Sequence, residues 1–321
     1  MQAENLIVRA AAIQAEPKML DLSGGIEKTK SLIAEAAKDG AGIIVFPELF
    51  LPGYISCGVW GKGFADFGSN RAQKAWQRLY RNSIEVPSAE TESLCDAARK
   101  ARATVVIGIH ERTPTNGSLY NTLLFIGPNG ALLGKHRKLM PTNHERMVHR
   151  LGDGSTLRVY DTPHGRIGGL ICWENWMPLC RYALYNLGEQ IHAAPTADDR
   201  TETTLVNVRN TAMEGGVFVI SVCSVIRASS YPQGFEFQAE IDEIAAAGND
   251  YLAQGNSAII SPEGEVLAGP LLREEGILYA DLDLSKTLGV KQLLDNAGHY
   301  SRPDVFQLQI NTRTKDNIVE V

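Results

Sequence analysis

Short apolar runs and helix-like repeats alternate along the whole chain. Residues 7–14 form an apolar run of the length typical of a buried strand. Apolar residues then recur at helical spacing over residues 26–37, and Gly40 stands where a glycine commonly ends a helix. A second apolar run over residues 42–46 predicts another strand, so the chain begins with a strand-helix-strand unit.

Strands and tight turns continue the pattern towards the carboxyl end. Further strands are predicted over residues 104–110, 119–126, 132–136, 157–162, 166–171, 191–194, 217–222, 257–261 and 265–268. The dipeptide Asn116-Gly117 predicts a hairpin turn with positive φ angles. The tripeptide at residues 128–130 predicts the turn into the following strand.

Helical patterns separate several of these strands. They run from Pro178 to Gly188, over residues 201–214 and from about Leu284. Hairpins and strand-helix-strand units together predict an α/β fold of mixed sheets with helices on the outer faces. No Pro/Gly/Ser-rich linker or internal repeat interrupts the sequence, so we expect one domain over residues 1–321 with a weakly patterned tail from about residue 304.

Composition and charge exclude several functions. The 321 residues are 44% hydrophobic and 21% charged, which is enough apolar material for a sizeable core. With 37 acidic and 31 basic side chains the formal charge is −6, and the basic stretch at residues 135–138 is short, so nucleic acid is not an expected partner. Apolar strings fall far below the roughly 20 residues of a membrane helix, so a membrane is not expected either.

The beginning of the chain and its cysteines bear on location. Residues 1–4 lack the basic start and apolar core of a signal peptide, so we expect a cytoplasmic protein. The cysteines are odd in number and widely spaced, which argues against a disulfide framework or a structural zinc site. They are Cys57, Cys95, Cys172, Cys180 and Cys223.

Polar residues directly after three strands are the first indication of a functional site. Glu48 follows the strand at 42–46, Lys138 follows the strand ending near His136, and Cys172 follows the strand ending at Ile171. Ligand sites of α/β sheets gather at the carboxyl ends of strands, so these three side chains are expected to converge.

Cys172 is the strongest single candidate. It lies six residues before Pro178, the predicted first turn of a helix, whose partial positive charge would favour the thiolate. The ammonium of Lys138 would add to that effect. A buried structural cysteine is the alternative, and it is the interpretation we adopt for Cys95, Cys180 and Cys223.

Glu48 stands between apolar neighbours on both sides. Partial desolvation there would raise the pKa of its carboxyl towards the range of a general base. A helix cap or an ion pair is the alternative interpretation.

A metal site is not indicated by the histidines. His144 and His149 are five residues apart, which on a helix turns their rings about 140° away from each other. Zinc proteases of the familiar motif need a spacing of four, where this chain has Val148. No metal is therefore expected.

Taken together, these segments resemble the nitrilase superfamily of carbon-nitrogen hydrolases. Residues 46–48 (Phe-Pro-Glu) are similar to its glutamate motif, residues 136–142 to its lysine motif, and residues 172–175 (Cys-Trp-Glu-Asn) to its nucleophile motif. Glu145 matches the second glutamate often counted as a fourth catalytic residue. The resemblance extends to residue 304 and so covers nearly the whole chain.

This resemblance implies both a fold and an activity. The fold would be an αββα sandwich that pairs into αββααββα dimers, so a homodimer or higher homo-oligomer is expected. Trp173 and Glu174, directly after the cysteine, resemble the true nitrilase branch. That branch implies hydrolysis of an organic nitrile to the carboxylic acid and ammonia, without a cofactor. An amidase or carbamoylase, a cyanide-degrading relative and a catalytically silent binding protein remain the alternatives.

The resemblance also assigns the catalytic residues. Glu48 would take the thiol proton while Cys172 attacks the nitrile carbon to form a covalent thioimidate. Lys138 would stabilise charge on the nitrogen, and Glu145 would hold the lysine or orient water. Lys135 is the competitor for the lysine role, but only Lys138 directly precedes residues 139–142, as the family motif requires.

Three further residues are expected to bind substrate. Tyr54 and Trp173 are pocket residues by resemblance, with ordinary aromatic packing as the alternative. His149 stands where many nitrilases have a tryptophan. It is expected to line the pocket and to leave room for a polar or bulky substituent, with a surface or interface histidine as the alternative.

Overall fold

Two β-sheets packed face to face carry the architecture of the computed structural model, which describes residues 6–197, 200–247 and 250–315. The prediction that concerns a signal peptide rests on residues 1–4, which lie outside these ranges. The strands are β1 (Ile7–Gln14), β2 (Ile43–Val45), β3 (Thr104–Arg112), β4 (Leu119–Ile126), β5 (Leu132–Arg137), β6 (Tyr160–Thr162), β7 (Gly165–Gly169), β8 (Ile191–Thr196), β9 (Phe218–Cys223), β10 (Val225–Arg227), β11 (Tyr251–Ile260), β12 (Val266–Leu272) and β13 (Gly276–Asp283).

Helices lie between and after these strands. They are α1 (Leu22–Lys38), α2 (Cys57–Ala65), α3 (Asn70–Arg81), α4 (Ala89–Ala101), α5 (Pro178–Asn186), α6 (Thr201–Gly215), α7 (Gln238–Ala246) and α8 (Ser285–Lys291). Short 3-10 helices occupy Asn143–Met147, Gly154–Thr156, Cys172–Trp176 and Ala228–Ser230.

Both sheets are mixed, as the sequence predicts. The first has the order β13-β1-β2-β3-β4-β5, with β1, β2 and β3 parallel and the flanking pairs antiparallel. The second has the order β10-β11-β9-β8-β7-β6, and β12 pairs with β11. Its central strands β7, β8 and β9 are parallel. The parallel strands of each sheet therefore end side by side, which suits a site assembled from strand ends.

Apolar side chains fill three layers around the two sheets. Ala10 and Val106 of the first sheet meet Ile167 and Ile220 of the second in the layer between them. On the outer faces, α1 and α4 pack against the first sheet, and α6 packs against the second. The layers run helix, sheet, sheet, helix, which confirms the predicted αββα sandwich.

One predicted turn has a different geometry. The hairpin from β3 to β4 forms, but neither Asn116 nor Gly117 is among the described residues with positive φ. The connection is wider than a two-residue turn, because the amide of Thr113 donates to the carbonyl of Ser118. The hydroxyl of Thr113 also donates to Oδ1 of Asn116, which stabilises this longer loop.

The tail after α8 lies against its own chain. The amide of Lys315 donates to Oδ2 of Asp153 over 2.9 Å. A Cβ added to Gly154 would stand 2.3 Å from the carbonyl oxygen of Asn311, so the glycine permits this close approach. Among the described residues, no helix combines the length and apolar character needed to cross a membrane.

Candidate active site

Glu48, Lys138 and Cys172 converge at the ends of three strands, as the sequence predicts. Glu48 follows β2 and Lys138 follows β5 of the first sheet, whereas Cys172 follows β7 of the second. All three side chains are buried. The site therefore lies where the two sheets meet.

The ammonium of Lys138 lies between two carboxylates. Its Nζ is 2.7 Å from Oε1 of Glu48 and 2.9 Å from Oε2 of Glu145. Burial alone would lower the pKa of Lys138, but the two carboxylates outweigh burial and hold that pKa well above its usual value. Lys138 is therefore a fixed positive charge in the interior.

Glu48 is arranged as a proton acceptor. Its Oε1 also accepts from Nδ2 of Asn121 over 2.7 Å, whereas its buried Oε2 has no hydrogen-bond partner among the described residues. Burial raises the pKa of Glu48, the neighbouring Glu145 raises it further, and Lys138 opposes both. The raised pKa agrees with the expectation from the sequence.

A glycine in β3 allows the Glu48 backbone to approach the sheet. A Cβ on Gly108 would stand 2.4 Å from the carbonyl oxygen of Pro47 and 2.8 Å from the Cα of Glu48. Real side chains do not tolerate such contacts with backbone atoms. Gly108 therefore positions Glu48, although it carries no reactive group.

Cys172 begins the 3-10 helix Cys172–Trp176 with a φ of 56°, a left-handed conformation that is uncommon for a residue with a side chain. The hydroxyl of Thr196 donates to its Sγ over 3.2 Å. Burial raises the pKa of the thiol, Glu48 raises it further, and Lys138 only partly opposes them. The raised pKa contradicts the predicted preference of Cys172 for the thiolate, because burial and Glu48 together outweigh Lys138. The thiol therefore needs a base.

Glu145 is held by three donors. Besides Lys138, the backbone amide of Thr142 donates to its Oε2 over 3.0 Å, and the hydroxyl of Tyr54 donates to its Oε1 over 3.0 Å. Because both oxygens are engaged, Glu145 is suited to holding Lys138 in place.

A second buried carboxylate joins the loops that carry Cys172 and Lys138. Glu174 accepts from the amide of Ile171 over 2.9 Å and from the amide of Leu139 over 2.8 Å. Ile171 directly precedes Cys172, and Leu139 directly follows Lys138. One side chain therefore fixes the spacing of Cys172 and Lys138.

Comparison with known proteins agrees with this geometry. The model of the carbon-nitrogen hydrolase family matches the chain from residue 9 to residue 292. The chain belongs to the carbon-nitrogen hydrolase family. It is 41% identical to Nitrilase 2 of Arabidopsis thaliana over 98% of this chain and 91% of that protein. It is 42% identical to the bifunctional nitrilase/nitrile hydratase NIT4A of Lupinus angustifolius over 94% of this chain and 86% of that one.

These relatives place this carbon-nitrogen hydrolase in the nitrilase branch of the nitrilase superfamily, as the sequence predicts. The fold agrees with a solved structure of that superfamily. Nit3 of Saccharomyces cerevisiae aligns with a TM-score of 0.69 over 90% of this chain and 94% of that one, at 22% identity.

Tyr54 and Trp173, two residues predicted to bind substrate, lie in different surroundings in this carbon-nitrogen hydrolase. Tyr54 is buried, and its hydroxyl contacts Glu145. Trp173 is 43% exposed beside Cys172, and the guanidinium of Arg200 lies 4.8 Å from its ring centre. Trp173 is therefore partly at the surface, whereas Tyr54 is buried against Glu145.

His149, the third residue predicted to bind substrate, is buried behind the site. Its Nε2 lies 3.1 Å from Nδ1 of His110, and its ring lies 5.1 Å from the ring of Trp60. Burial and then the charge of Lys138 lower the pKa of His149 to about 3, so the ring is neutral. His149 contacts the core, and its role towards substrate stays a prediction.

Lys135, the competing lysine, lies outside this carbon-nitrogen hydrolase site. It pairs with Glu111 beside Arg137. No group of three or more His, Cys, Asp or Glu residues is arranged to hold a metal ion within the part of the chain that the structure describes.

Several residues of the site were missed in the sequence analysis. Asn175 donates from Nδ2 to the carbonyl of Cys172, and its Oδ1 lies 2.7 Å from Nε2 of His192. His192 and Asn121 are polar residues inside mainly apolar strands, and that contrast was the available signal. Thr196 ends β8 two residues beyond the predicted strand, so this signal did not apply to it.

Proposed function

We propose that this chain is a nitrilase, which hydrolyses an organic nitrile to the carboxylic acid and ammonia. The observation that carries the proposal is the buried ammonium of Lys138 held between Glu48 and Glu145 beside the thiol of Cys172. The names of the relatives at about 40% identity support the same activity. The catalytic roles below are part of this proposal.

The first half of the reaction needs a base, a nucleophile and a positive charge. Oε2 of Glu48 takes the proton from Sγ of Cys172, and the sulfur attacks the nitrile carbon. One carbon-nitrogen π bond breaks as the carbon-sulfur bond forms, and the nitrogen receives the proton. Lys138 stabilises the charge that develops on that nitrogen. The product is a thioimidate on Cys172.

The second half consumes two water molecules. Water adds to the thioimidate carbon, ammonia leaves when the carbon-nitrogen bond breaks, and a thioester remains on Cys172. A second water hydrolyses the thioester to the carboxylic acid and restores the thiol. Glu145 keeps Lys138 charged and in place through both steps, because its other donors fix its own position.

An amide is the second candidate product. The addition of water to the thioimidate carbon gives a tetrahedral intermediate. This intermediate yields an amide if its carbon-sulfur bond breaks before its carbon-nitrogen bond. The name of the lupin relative, a bifunctional nitrilase/nitrile hydratase, favours a test for this branch.

A substrate panel tests the proposal. The purified chain is incubated with aliphatic, aromatic and arylacetonitrile compounds, with the matching amides and with hydrogen cyanide. Ammonia, acid and amide are each quantified. We expect acid and ammonia from nitriles at rates well above those from amides. Turnover of amides or of cyanide alone would instead indicate an amidase or a cyanide-degrading enzyme.

Assembly, domain organisation and location complete the proposal. We propose a single domain that pairs as a homodimer or higher homo-oligomer in the cytoplasm. Exposed apolar side chains on the helical segments beside the second sheet support pairing there; they include Trp176 of the 3-10 helix, Leu179 of α5 and Val206 of α6. Light scattering on the eluting protein tests the assembly, and fractionation of the source cells tests the location.

A further inference from the structure

A small recess opens beside Cys172, and neither Lys138 nor its two carboxylate partners line it. We call it the α6 recess, because Thr204 and Asn207 of α6 form one wall and Ser221 of β9 forms another. Thr196, which donates to Sγ of Cys172, lines it too. The recess therefore adjoins the atom that becomes bonded to the substrate.

Two polar groups in the α6 recess are buried without a protein partner. Oδ1 of Asn207 and Oγ of Ser221 have no hydrogen-bond partner among the described residues. Asn207 is 5% exposed and Ser221 is 1% exposed. Buried polar groups of folded proteins are nearly always hydrogen-bonded, so this pair indicates a place for a ligand group that bonds to both.

The lining indicates what kind of group that is. Apart from the thiol of Cys172, the described residues around the recess carry no titratable side chain, so the recess suits a neutral group. An amide oxygen accepts a hydrogen bond, and a hydroxyl both donates and accepts. A substrate hydroxyl can donate to Oδ1 of Asn207 and accept from Oγ of Ser221 at the same time, whereas a methyl group can bond to neither.

We propose that the α6 recess is a substrate subsite for a hydroxyl group on the carbon next to the nitrile carbon. This inference rests on the proposed nitrilase function. Sγ of Cys172 is bonded to the nitrile carbon in the thioimidate, so the substituent on the next carbon is the part of the substrate that reaches the recess wall. The preferred substrates are then 2-hydroxynitriles.

Hydrolytic water is the competing occupant, and the lining disfavours it. Attacking water needs a base within hydrogen-bond reach. Neither Glu48 nor Glu145 lines the recess. A substrate hydroxyl needs no base, because it takes no part in the bond changes.

Hydroxyacetonitrile and propionitrile test the subsite, because they differ only in a hydroxyl against a methyl group of similar size. The measured quantity is the ratio of kcat/KM for hydroxyacetonitrile to kcat/KM for propionitrile. We expect Ser221→Ala and Asn207→Ala each to lower this ratio about fivefold or more, since each removes one bond to the hydroxyl.

Ser224→Ala is the matched control. Ser224 also has a buried hydroxyl without a partner among the described residues and follows the same strand, but it does not line the recess. It should leave the ratio unchanged. If Asn207→Ala fails to fold in a thermal melt, Ser221→Ala still carries the test.

The outcomes separate the subsite from the proposed function. An unchanged ratio in the folded recess variants overturns the subsite. So does an equal fall of kcat for both nitriles with thioester accumulating on Cys172 in intact mass spectra, which is the result expected for a water site. If the native chain releases ammonia from neither nitrile nor from any nitrile of the panel, the proposed function itself fails.

Discussion

Nε2 of His136 lies 2.9 Å from Oε2 of Glu174, and both residues are buried. Burial alone would raise the pKa of Glu174, but His136 and two backbone amides together outweigh burial and keep that pKa below its usual value. The same contact raises the pKa of His136 against the effect of burial. The charged Glu174 is therefore stable inside the protein, where it also accepts from the amides of Ile171 and Leu139.

Replacing Glu174 should disturb the spacing of Cys172 and Lys138. A glutamine at this position keeps one acceptor oxygen but turns its own donor towards the backbone amide of either Leu139 or Ile171, so we expect Glu174→Gln to lose about 1–3 kcal/mol of unfolding free energy. We also expect kcat/KM to fall by about 10² or more, because small displacements of reacting groups are costly. Denaturant unfolding and steady-state kinetics measure the two effects.

Glu111→Gln is the matched control for that variant. Glu111 is also a buried carboxylate with several donors, but they are Thr122, Lys135 and Arg137 rather than the loops of the site. We expect a comparable loss of stability with much more activity retained. Equal losses of activity in the two variants would show that Glu174 contributes only to stability.

Cys172→Ala should abolish turnover and leave the fold intact. The side chain forms the covalent bond in the proposed reaction, and the change in volume is small. Ammonia release and a thermal melt are measured side by side. Cys180→Ala is the control, because Cys180 is a buried cysteine of α5 that packs against Leu157 and Leu184. A Cys172→Ala protein that keeps a tenth of native turnover would exclude Cys172 as the nucleophile.

Lys138→Gln should lose far more activity than Lys135→Gln. Removing one charge-stabilising donor typically lowers the rate by about 10²–10³, and Lys138 also separates the charges of Glu48 and Glu145. Lys135 pairs with Glu111 away from the site, so its loss should change kcat little. Equal falls in kcat in the two variants would contradict the assignment of Lys138.

The fold could be predicted where the apolar pattern is strong. The bounds of β1 and β4 match the prediction at both ends, because each is a mainly apolar segment of ordinary strand length. The missed helix α2 contains Gly61 and Gly63, which are typical of loops. They are needed there because a Cβ at Gly61 would stand 2.6 Å from the ring of His144, and one at Gly63 would stand 2.5 Å from Phe237.

Other elements were missed for different reasons. The helix α3 buries Ala72, Ala75 and Leu79 on one face and is mostly polar elsewhere, so its helical spacing was a signal that the sequence analysis did not use. The strand β13 lies at the edge of the first sheet, and most of its residues are only half-buried. The elements α4, α7 and β10 were also not predicted.

Only those residues of the candidate site that directly follow a predicted strand could be found from the sequence. Glu48, Lys138 and Cys172 were found because each is a polar residue directly after an apolar run. Their partners Asn121 and Thr196 lie within strands, and nothing local indicates which carboxylate or thiol they contact. The protonation of Cys172 depends on burial between two sheets, which residue spacing does not show.

Asn121→Leu should shift the acid limb of the pH profile. Glu48 must be deprotonated to act as a base, so activity is lost as the pH falls through its pKa. The hydrogen bond from Asn121 lowers that pKa, and removing it should move the acid limb of kcat/KM upward by about one pH unit. Thr122→Val, on the same strand but bonded to Glu111, should leave the limb in place. An unmoved limb in Asn121→Leu would argue against Glu48 as the base.

His149 should make stability depend on pH in the mildly acid range. Its pKa is about 3 in the folded chain, against an ordinary value of 6.5. Below pH 6.5 the unfolded chain therefore binds a proton that the folded chain does not, so this contribution to stability is complete above pH 6.5 and is lost as the pH falls towards 3. The loss approaches about 1.4 kcal/mol per pH unit for one such group. Burial, and after it the neighbouring His149, hold the pKa of His110 well below the usual range. His110 therefore adds a loss of stability of the same sign.

The variant His149→Gln tests this dependence on pH, because glutamine keeps a polar partner for His110 but does not titrate. We expect the unfolding free energy of this variant to depend less steeply on pH between 6.5 and 4 than that of the native chain. Urea unfolding at several pH values measures the two slopes. Identical slopes in the native and His149→Gln proteins would mean that the ring of His149 accepts a proton in the folded state, which places it in contact with water and restores the sequence-based expectation that it lines the pocket.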